Sequence, residues 1–429
     1  MKHLLSVAFV ALLLTTSAMA ATEETKEQAI QDGLAWIAST QSVSGSEGWW
    51  SYSNDGTLAA TGAAALAFVE EGHWHPDSAY YVQTMRALTY MFNRALVDSR
   101  FGVETAVSQR YAEDYNNDGD YTNDGGNDQA IYFEPGNSDR RVYTTGICVP
   151  VVFALGEALG PDTVIGMGSP AVSGMTYREL MQDLVDWFCW GQVEPDRGNY
   201  RGGWRYDANY PTADNSTAQW GALPMLYGEG WGMTVPPYVK TELDLWVTYI
   251  QNANGGSGYD SPSSYVNVSK TGGLLLEFAA LGRGLGDSNV QAALAFIDSR
   301  WNTTPSSDWY GNLNHPYAMW AVYKALSVYG LTDYIQSGCP TLVDILVGID
   351  MPAAPGGFTI GFDCDPHVSA AGDWFSHYCD YLVGIQNANG SWNGYSYWTG
   401  AMATGWYVNI INATGVPDWE PCVHVIVGP

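Results

Sequence analysis

The sequence predicts an all-α fold, an (α/α)6 toroid in which six helix pairs close into a ring. Three observations predict it. A glutamine and glycine mark recurs along the chain, apolar segments alternate with charged ones, and hydrophobic residues make up 46% of 429 positions. A helix pair cannot bury its own apolar member. Stacked neighbours bury it, and closing the stack removes its exposed ends.

The chain opens with Lys2 and His3, an apolar run from Leu4 to Leu14, and the small-residue exit Ser17-Ala18-Met19-Ala20. This order predicts a signal peptide over residues 1–20, cleaved near Ala20, and hence a secreted, extracytoplasmic protein. The apolar run is too short to span a bilayer comfortably. No later stretch reads as a transmembrane helix, so no stable membrane span is expected. The formal charge of −28 disfavours nucleic acid and anionic lipid as partners. Residues 25–415 are assigned to the toroid and residues 416–429 to a C-terminal tail.

The repeat mark closes the first helix of a unit. Trp36 precedes Gln41, Trp187 precedes Gln192, Trp246 precedes Gln251 and Tyr381 precedes Gln386, always by five residues. A glycine loop follows, with tryptophan in Gly48-Trp49-Trp50, Gly203-Trp204 and Gly390-Ser391-Trp392. A glutamine at a helix end can bond orphan carbonyls and loop amides, and an indole can lie flat on its amide. The mark therefore predicts a stabilised helix end rather than catalysis.

The second helix of each unit is rich in Ala, Gly and Leu, and is expected over Thr57 to Glu70, Tyr143 to Leu159, Ser216 to Tyr227, Thr271 to Leu281, Pro316 to Tyr329 and Thr399 to Ile411. Segments apolar nearly all round are buried ones. The first helices, such as Glu24 to Ser39, Arg178 to Trp190 and Lys240 to Ile250, carry charge and read as outer. Units begin near residues 25, 78, 175, 238, 288 and 373, the second and fifth with degenerate marks, and an irregular span from Leu331 to Gly372 precedes the last.

Gln386-Asn-Ala-Asn-Gly390-Ser-Trp392 resembles the Q-x-x-x-G-x-W repeat of squalene cyclases, and Gly203-Trp204-Arg-Tyr206 followed by Asp214 to Trp220 is similar to the same repeat. The resemblance spans nearly all of the expected mature chain and implies the prenyltransferase and squalene-cyclase toroid. It implies activity much less. Squalene cyclases protonate an alkene with a D-x-D-D aspartate before Thr-Ala. Here Ala213-Asp214-Asn215-Ser216 precedes Thr217-Ala218, so the acid position holds the neutral Asn215. The zinc set of protein prenyltransferases has no match either, because Asp363-Cys364-Asp365-Pro366-His367 has the wrong spacing.

The acidic stretch Asp114 to Asp128 lies within the second unit. Asp114, Asn116 and Asp118 take alternate positions of a calcium loop, with Gly119 at the bend and Asp120, Asp124 and Asp128 nearby. It reads either as a Ca2+ site or as a solvated acidic loop capping the mouth of the ring. Cys148, Cys189, Cys339, Cys364, Cys379 and Cys422 permit three disulfides in an exported chain, with Cys364 more a disulfide partner than a metal ligand. Sequons stand at Asn215, Asn267, Asn302, Asn389 and Asn412.

The helix-joining loops gather aromatics on one face. Trp204, Tyr206, Tyr259, Trp309, Trp392 and Trp398, with Asp214 and Gln219, are the ligand-binding candidates. The alternatives are packing for the aromatics and a helix cap for Asp214. Asp214, Asp363 and His315 are the weak catalytic candidates, His315 reading also as a helix-start hydrogen bonder. Two functions follow: a non-catalytic or ligand-binding toroid whose mouth takes a small molecule, lipid, glycan or surface protein, or an enzyme of the toroid class, either a cyclase-like isomerase or a carbohydrate hydrolase or lyase. A hydrolase needs paired carboxylates, for which Asp196, Asp207, Asp214, Asp260 and Asp308 lie on the right face.

Overall fold

Thr22 opens the first helix. Its hydroxyl accepts from the Thr25 amide at 3.2 Å and the Thr25 hydroxyl accepts from the Thr22 amide at 2.8 Å, a capping box that satisfies two end amides of α1 (Glu23–Ser39). The computed structural model describes residues 20–52, 56–101, 129–331 and 374–413. Five more helices share the outer position of α1: α3 (Tyr81–Phe92), α5 (Tyr177–Trp190), α7 (Pro237–Ile250), α9 (Ser288–Asp298) and α11 (Trp374–Ile385). The inner helices are α2 (Thr57–Glu70), α4 (Arg141–Leu159), α6 (Ala218–Gly230), α8 (Val268–Ala280), α10 (Pro316–Val328) and α12 (Gly400–Ile411).

The inner helices form because Ala and Leu favour helix and because every side of them finds cover. In α2, every residue from Leu58 to Val69 is buried. Helix α2 packs on α4, α4 on α6, α6 on α8, α8 on α10, α10 on α12, and α12 back on α2. That cycle of neighbours is the toroid. Backbones nearly touch within it: a Cβ added at Gly405 of α12 would lie 2.6 Å from the Ala63 carbonyl oxygen of α2. One added at Gly272 of α8 would lie 2.8 Å from the Ala321 backbone of α10.

The repeat mark does more than finish its own helix. The side-chain amide of Gln41 donates to the Gln83 carbonyl at 2.9 Å, Gln192 to Val239 at 3.0 Å, Gln251 to Asn289 at 2.9 Å and Gln386 to Ala29 at 2.8 Å. Each acceptor lies near the start of the next outer helix, so the glutamine fastens one unit to its successor. Three of the four also bond a loop carbonyl, at Gly202, Gly255 and Gly390. Those glycines have φ of 79°, 90° and 88°, and a Cβ there would strike the next outer helix at about 2 Å. The tryptophans add a directional bond of their own. The indoles of Trp50, Trp204 and Trp392 donate to the carbonyls of Ile37, Phe188 and Leu382, four residues before each glutamine, at 2.8–2.9 Å.

Helix α4 corrects one expectation. It is 19 residues long and apolar enough to cross a bilayer by length and composition. Its apolarity is that of an inner helix packed between α2 and α6 with most of its residues buried. Two short antiparallel strand pairs accompany the helices, β1 (Ser42–Ser44) with β2 (Glu47–Trp49), and β3 (Ala95–Val97) with β4 (Ile131–Phe133). The acidic stretch falls between β3 and β4 in sequence. Its residues Asp114, Asn116, Asp118, Asp120, Asp124 and Asp128 lie outside the described residues, as do residues 1–19, where a signal peptide is expected, Asp363, Cys339, Cys364, Cys422 and residues 414–429.

Candidate functional site: an aromatic chamber at the inner-helix starts

The N-terminal ends of the inner helices surround a chamber of about 500 Å3. Ala59 of α2, Tyr143 and Ile147 of α4, Lys270 of α8, Tyr317 of α10 and Met402 and Trp406 of α12 all line it. Its floor is a stack of indoles. Trp406 lies between Trp320, at 5.9 Å and 6°, and Trp220, at 6.2 Å and 18°. The Lys324 ammonium sits 4.0 Å from the Trp220 ring centroid, fully buried and without a hydrogen-bond partner among the described residues, and burial drives its pKa well below the usual lysine range. Tyr317 stacks on Trp398 at 5.0 Å, and Tyr143 on Tyr206 at 6.1 Å, to make the walls.

At the rim stand Tyr265, Trp309 and Tyr397, exposed by 48%, 40% and 53%. Large apolar side chains exposed together at a cavity mouth mark a binding surface. Tyr265 and Trp309 also hold left-handed backbone, with φ of 48° and 58°. Such conformations cost a non-glycine residue on the order of 1 kcal/mol or more and persist where the surroundings hold them.

Behind the wall lies a polar network. Asp214 is fully buried. Its Oδ1 accepts from the Ser216 amide at 3.0 Å, the Ser216 hydroxyl at 2.6 Å and the Thr217 amide at 3.2 Å, which caps the turn leading into α6. Its Oδ2 lies 3.2 Å from Arg205 Nε, an ion pair outside hydrogen-bond geometry. Burial raises the Asp214 pKa, against the Ser216 hydrogen bond and the Arg205 charge. The Ser216 and Tyr143 hydroxyls are 2.7 Å apart, so a chain of hydroxyls connects Asp214 to the chamber. Tyr317 donates to the Ser216 carbonyl and accepts from Gln219 at 2.7 Å and Trp220 at 3.1 Å. The hydroxyls of Tyr206 and Tyr259 are 2.9 Å apart.

Lys270 lines the chamber while only 4% exposed. Its ammonium makes no hydrogen bond or ion pair with any described residue. Burial pulls its pKa down to about 7, opposed by the Asp214 charge. Among the described lining residues there is Arg140 but no carboxylate.

The structure brings together Tyr206, Tyr259, Trp309 and Trp398 in the chamber lining. Asp214 lies one hydroxyl behind it, and Gln219 lies behind Tyr317, fully buried. Trp204 and Trp392 are corrected: they are buried to 0% and 1% with their indoles on helix-end carbonyls, so they pack the wall and present no face to a ligand. His315 caps α10, its Nδ1 accepting from the Ala318 amide at 3.3 Å, and burial with the nearby Lys270 charge lowers its pKa to about 3. Asn215, at the cyclase acid position, is buried. It donates to the Ser257 hydroxyl at 2.8 Å and the Lys270 carbonyl at 3.2 Å, and accepts from Trp246 at 2.8 Å. It is a brace between units.

The sequon residues Asn215 and Asn267 are both buried helix-start residues, closed to a glycan. Cys148 is a buried thiol facing Gly62, and among the described residues no cysteine pair is bridged. No metal-sized cluster of His, Cys, Asp and Glu occurs among the described residues. The aspartates expected to pair as hydrolase acids are held otherwise: Asp207 by Arg100 and Arg141 at 2.9 and 3.1 Å, Asp260 by the Ser264 hydroxyl at 2.8 Å. The residues that sequence reasoning missed are Lys270, Tyr143, Ser216, Tyr317 and Trp406. A lysine directly before an otherwise small and apolar inner segment was the available signal.

No family model matches the chain, and no curated protein matches it. Among solved structures, the chain is similar to the type II terpene cyclase MstE from Scytonema in complex with the product merosterolic acid A. The TM-score is 0.44 and the identity 13%, over 94% of this chain and 99% of that one. A second structure of MstE, in complex with the substrate geranylgeranyl dihydroxybenzoate, gives a TM-score of 0.41 and 14% identity over 89% and 82% of the two chains.

Proposed function

We propose that this toroid binds an apolar or amphipathic small molecule in the chamber at its inner-helix starts. The observation that carries the reading is the aromatic enclosure itself: stacked indoles below, tyrosines and Trp398 around, and exposed Tyr265, Trp309 and Tyr397 at the mouth. Burying a flat apolar body there gains about 25 cal/mol per Å2 of area removed from water. A concave, largely aromatic pocket of this size suits a single small molecule.

Titration with cinnamyl alcohol, followed by tryptophan emission, tests this. Saturable quenching is expected, with no response to a trisaccharide. Quenching by the sugar alone would favour a glycan-binding face instead.

Export belongs to the same proposal, supported by the order of residues from Lys2 to Ala20. Amino-terminal sequencing of protein recovered outside expressing cells tests it, with a start near Ala21 expected. Calcium on the Asp114 to Asp128 stretch is likewise proposed, supported by its alternating oxygen ligands. A melting temperature that falls on chelation and recovers with Ca2+ is the expected result.

A further inference from the structure

Two lysines are buried in the ring, and they differ in one respect. Lys324 is sealed beneath the floor against Trp220 and Trp320. Lys270 lines the chamber, in the first turn of α8, with no acceptor or carboxylate among the described residues on its ammonium. A buried amine without a partner is costly to keep in an apolar site. It is also the arrangement that leaves a lysine nucleophilic, since desolvation favours the neutral amine.

We propose that Lys270 captures the carbonyl of an aldehyde- or ketone-bearing apolar ligand as an imine. The inference rests on the chamber being a ligand site. The amine lone pair of Nζ adds to the carbonyl carbon as the C=O π bond opens, and one Nζ proton is passed to the carbonyl oxygen to give a carbinolamine. The C–O bond then breaks, the oxygen leaves as water carrying the second Nζ proton, and a C=N bond remains, with no oxidant or reductant consumed. The chamber supplies what this sequence needs. Its aromatic walls hold the body of the ligand. The Tyr143 hydroxyl, connected through Ser216 to Asp214, can deliver and recover the proton. Asp214 and His315 interact with Lys270 by charge, and Arg140, Tyr143, Tyr259 and Tyr317 are among the residues that line the chamber with it; His315 stays neutral because burial holds its pKa near 3.

The chain has five lysines, Lys2, Lys26, Lys240, Lys270 and Lys324, so background labelling is small. The full chain is incubated with cinnamaldehyde and sodium cyanoborohydride, then weighed intact and mapped by peptide mass. One reduced adduct on the peptide that contains Lys270 is expected, and none on Lys324. Lys270→Arg, checked for fold by circular dichroism, is expected to lose roughly tenfold or more of that adduct.

If cinnamyl alcohol quenches the wild-type protein but cinnamaldehyde leaves no adduct at Lys270, the imine is overturned and the chamber stands. The imine is equally overturned if cinnamate binds and the aldehyde is not trapped, which would make Lys270 a carboxylate anchor. If neither alcohol nor aldehyde binds, both readings fall. Peptide mapping of the wild-type protein decides the site even if the arginine variant does not fold.

Discussion

The side-chain amide of Gln386 donates to the carbonyl oxygen of Ala29 at 2.8 Å, tying the last outer helix to the first. The Ala21 amide, on the Asp380 carboxylate at 2.6 Å, reinforces the same seam. The same glutamine joint recurs at Gln192 and Gln251, so the ring closes with the device that spaces it.

Gln386→Ala removes two hydrogen bonds and leaves the seam carbonyls short of a donor. A loss of about 1–3 kcal/mol is expected, read from the shift in urea midpoint. Gln192→Ala, at a fully buried joint, is expected to cost more than Gln386→Ala.

Gly405→Val places a side chain where a Cβ alone comes 2.6 Å from the Ala63 carbonyl. Helices α12 and α2 must separate, at about 1–3 kcal/mol or more. Thermal unfolding checks this, and Gly384→Val on α11, where nothing lies within 4 Å, is the control expected to shift little.

Trp309 carries both an exposed ring and a left-handed backbone. Trp309→Gly is expected to stabilise the fold slightly, by about 1 kcal/mol or less, and to weaken ligand binding. Parallel melting and cinnamyl alcohol titrations read the two effects, which should run in opposite directions.

Two groups shifted by burial give opposite pH slopes. Burial, Lys270's dominant influence, lowers its pKa from 10.5 to about 7. Between those values the unfolded chain holds the proton and the folded chain does not, so stability rises with pH from about 7 toward 10. Lys270→Met should flatten that rise. Glu71, half-buried at the end of α2, has its pKa raised from 4.5 to about 7 by burial and by Glu27, against a hydrogen bond from Asn412. Its contribution is present below pH 4.5 and lost as pH rises through 7, and Glu71→Gln should remove that loss. Urea midpoints across the two windows separate them.

Much of the ring was legible because its inner segments are compositionally extreme. The expected Thr57 to Glu70 coincides with α2, and Pro316 to Tyr329 overruns α10 only at its end. The glutamine spacing was visible, but the partner of Gln386 is Ala29, and no local pattern reports so distant a bond. Trp204, Trp392 and Trp398 look alike in sequence, each following a turn. Only the direction of the indole separates them: the first two aim at helix-end carbonyls, while Trp398 stacks on Tyr317 in the chamber. Lys270 escaped notice because it stands just before the apolar stretch expected from Thr271, whereas the helix begins at Val268 and turns the lysine inward.

The most direct test fills the chamber. Ala59 lies on its wall, and Ala59→Trp inserts an indole into the space a ligand would take. Cinnamyl alcohol titrations of the wild-type and variant proteins, at matched fold content by circular dichroism, are compared. The chamber reading predicts saturable binding to the wild-type chain and loss of roughly tenfold or more in affinity for the variant. Equal affinity in both would place the ligand elsewhere and contradict it.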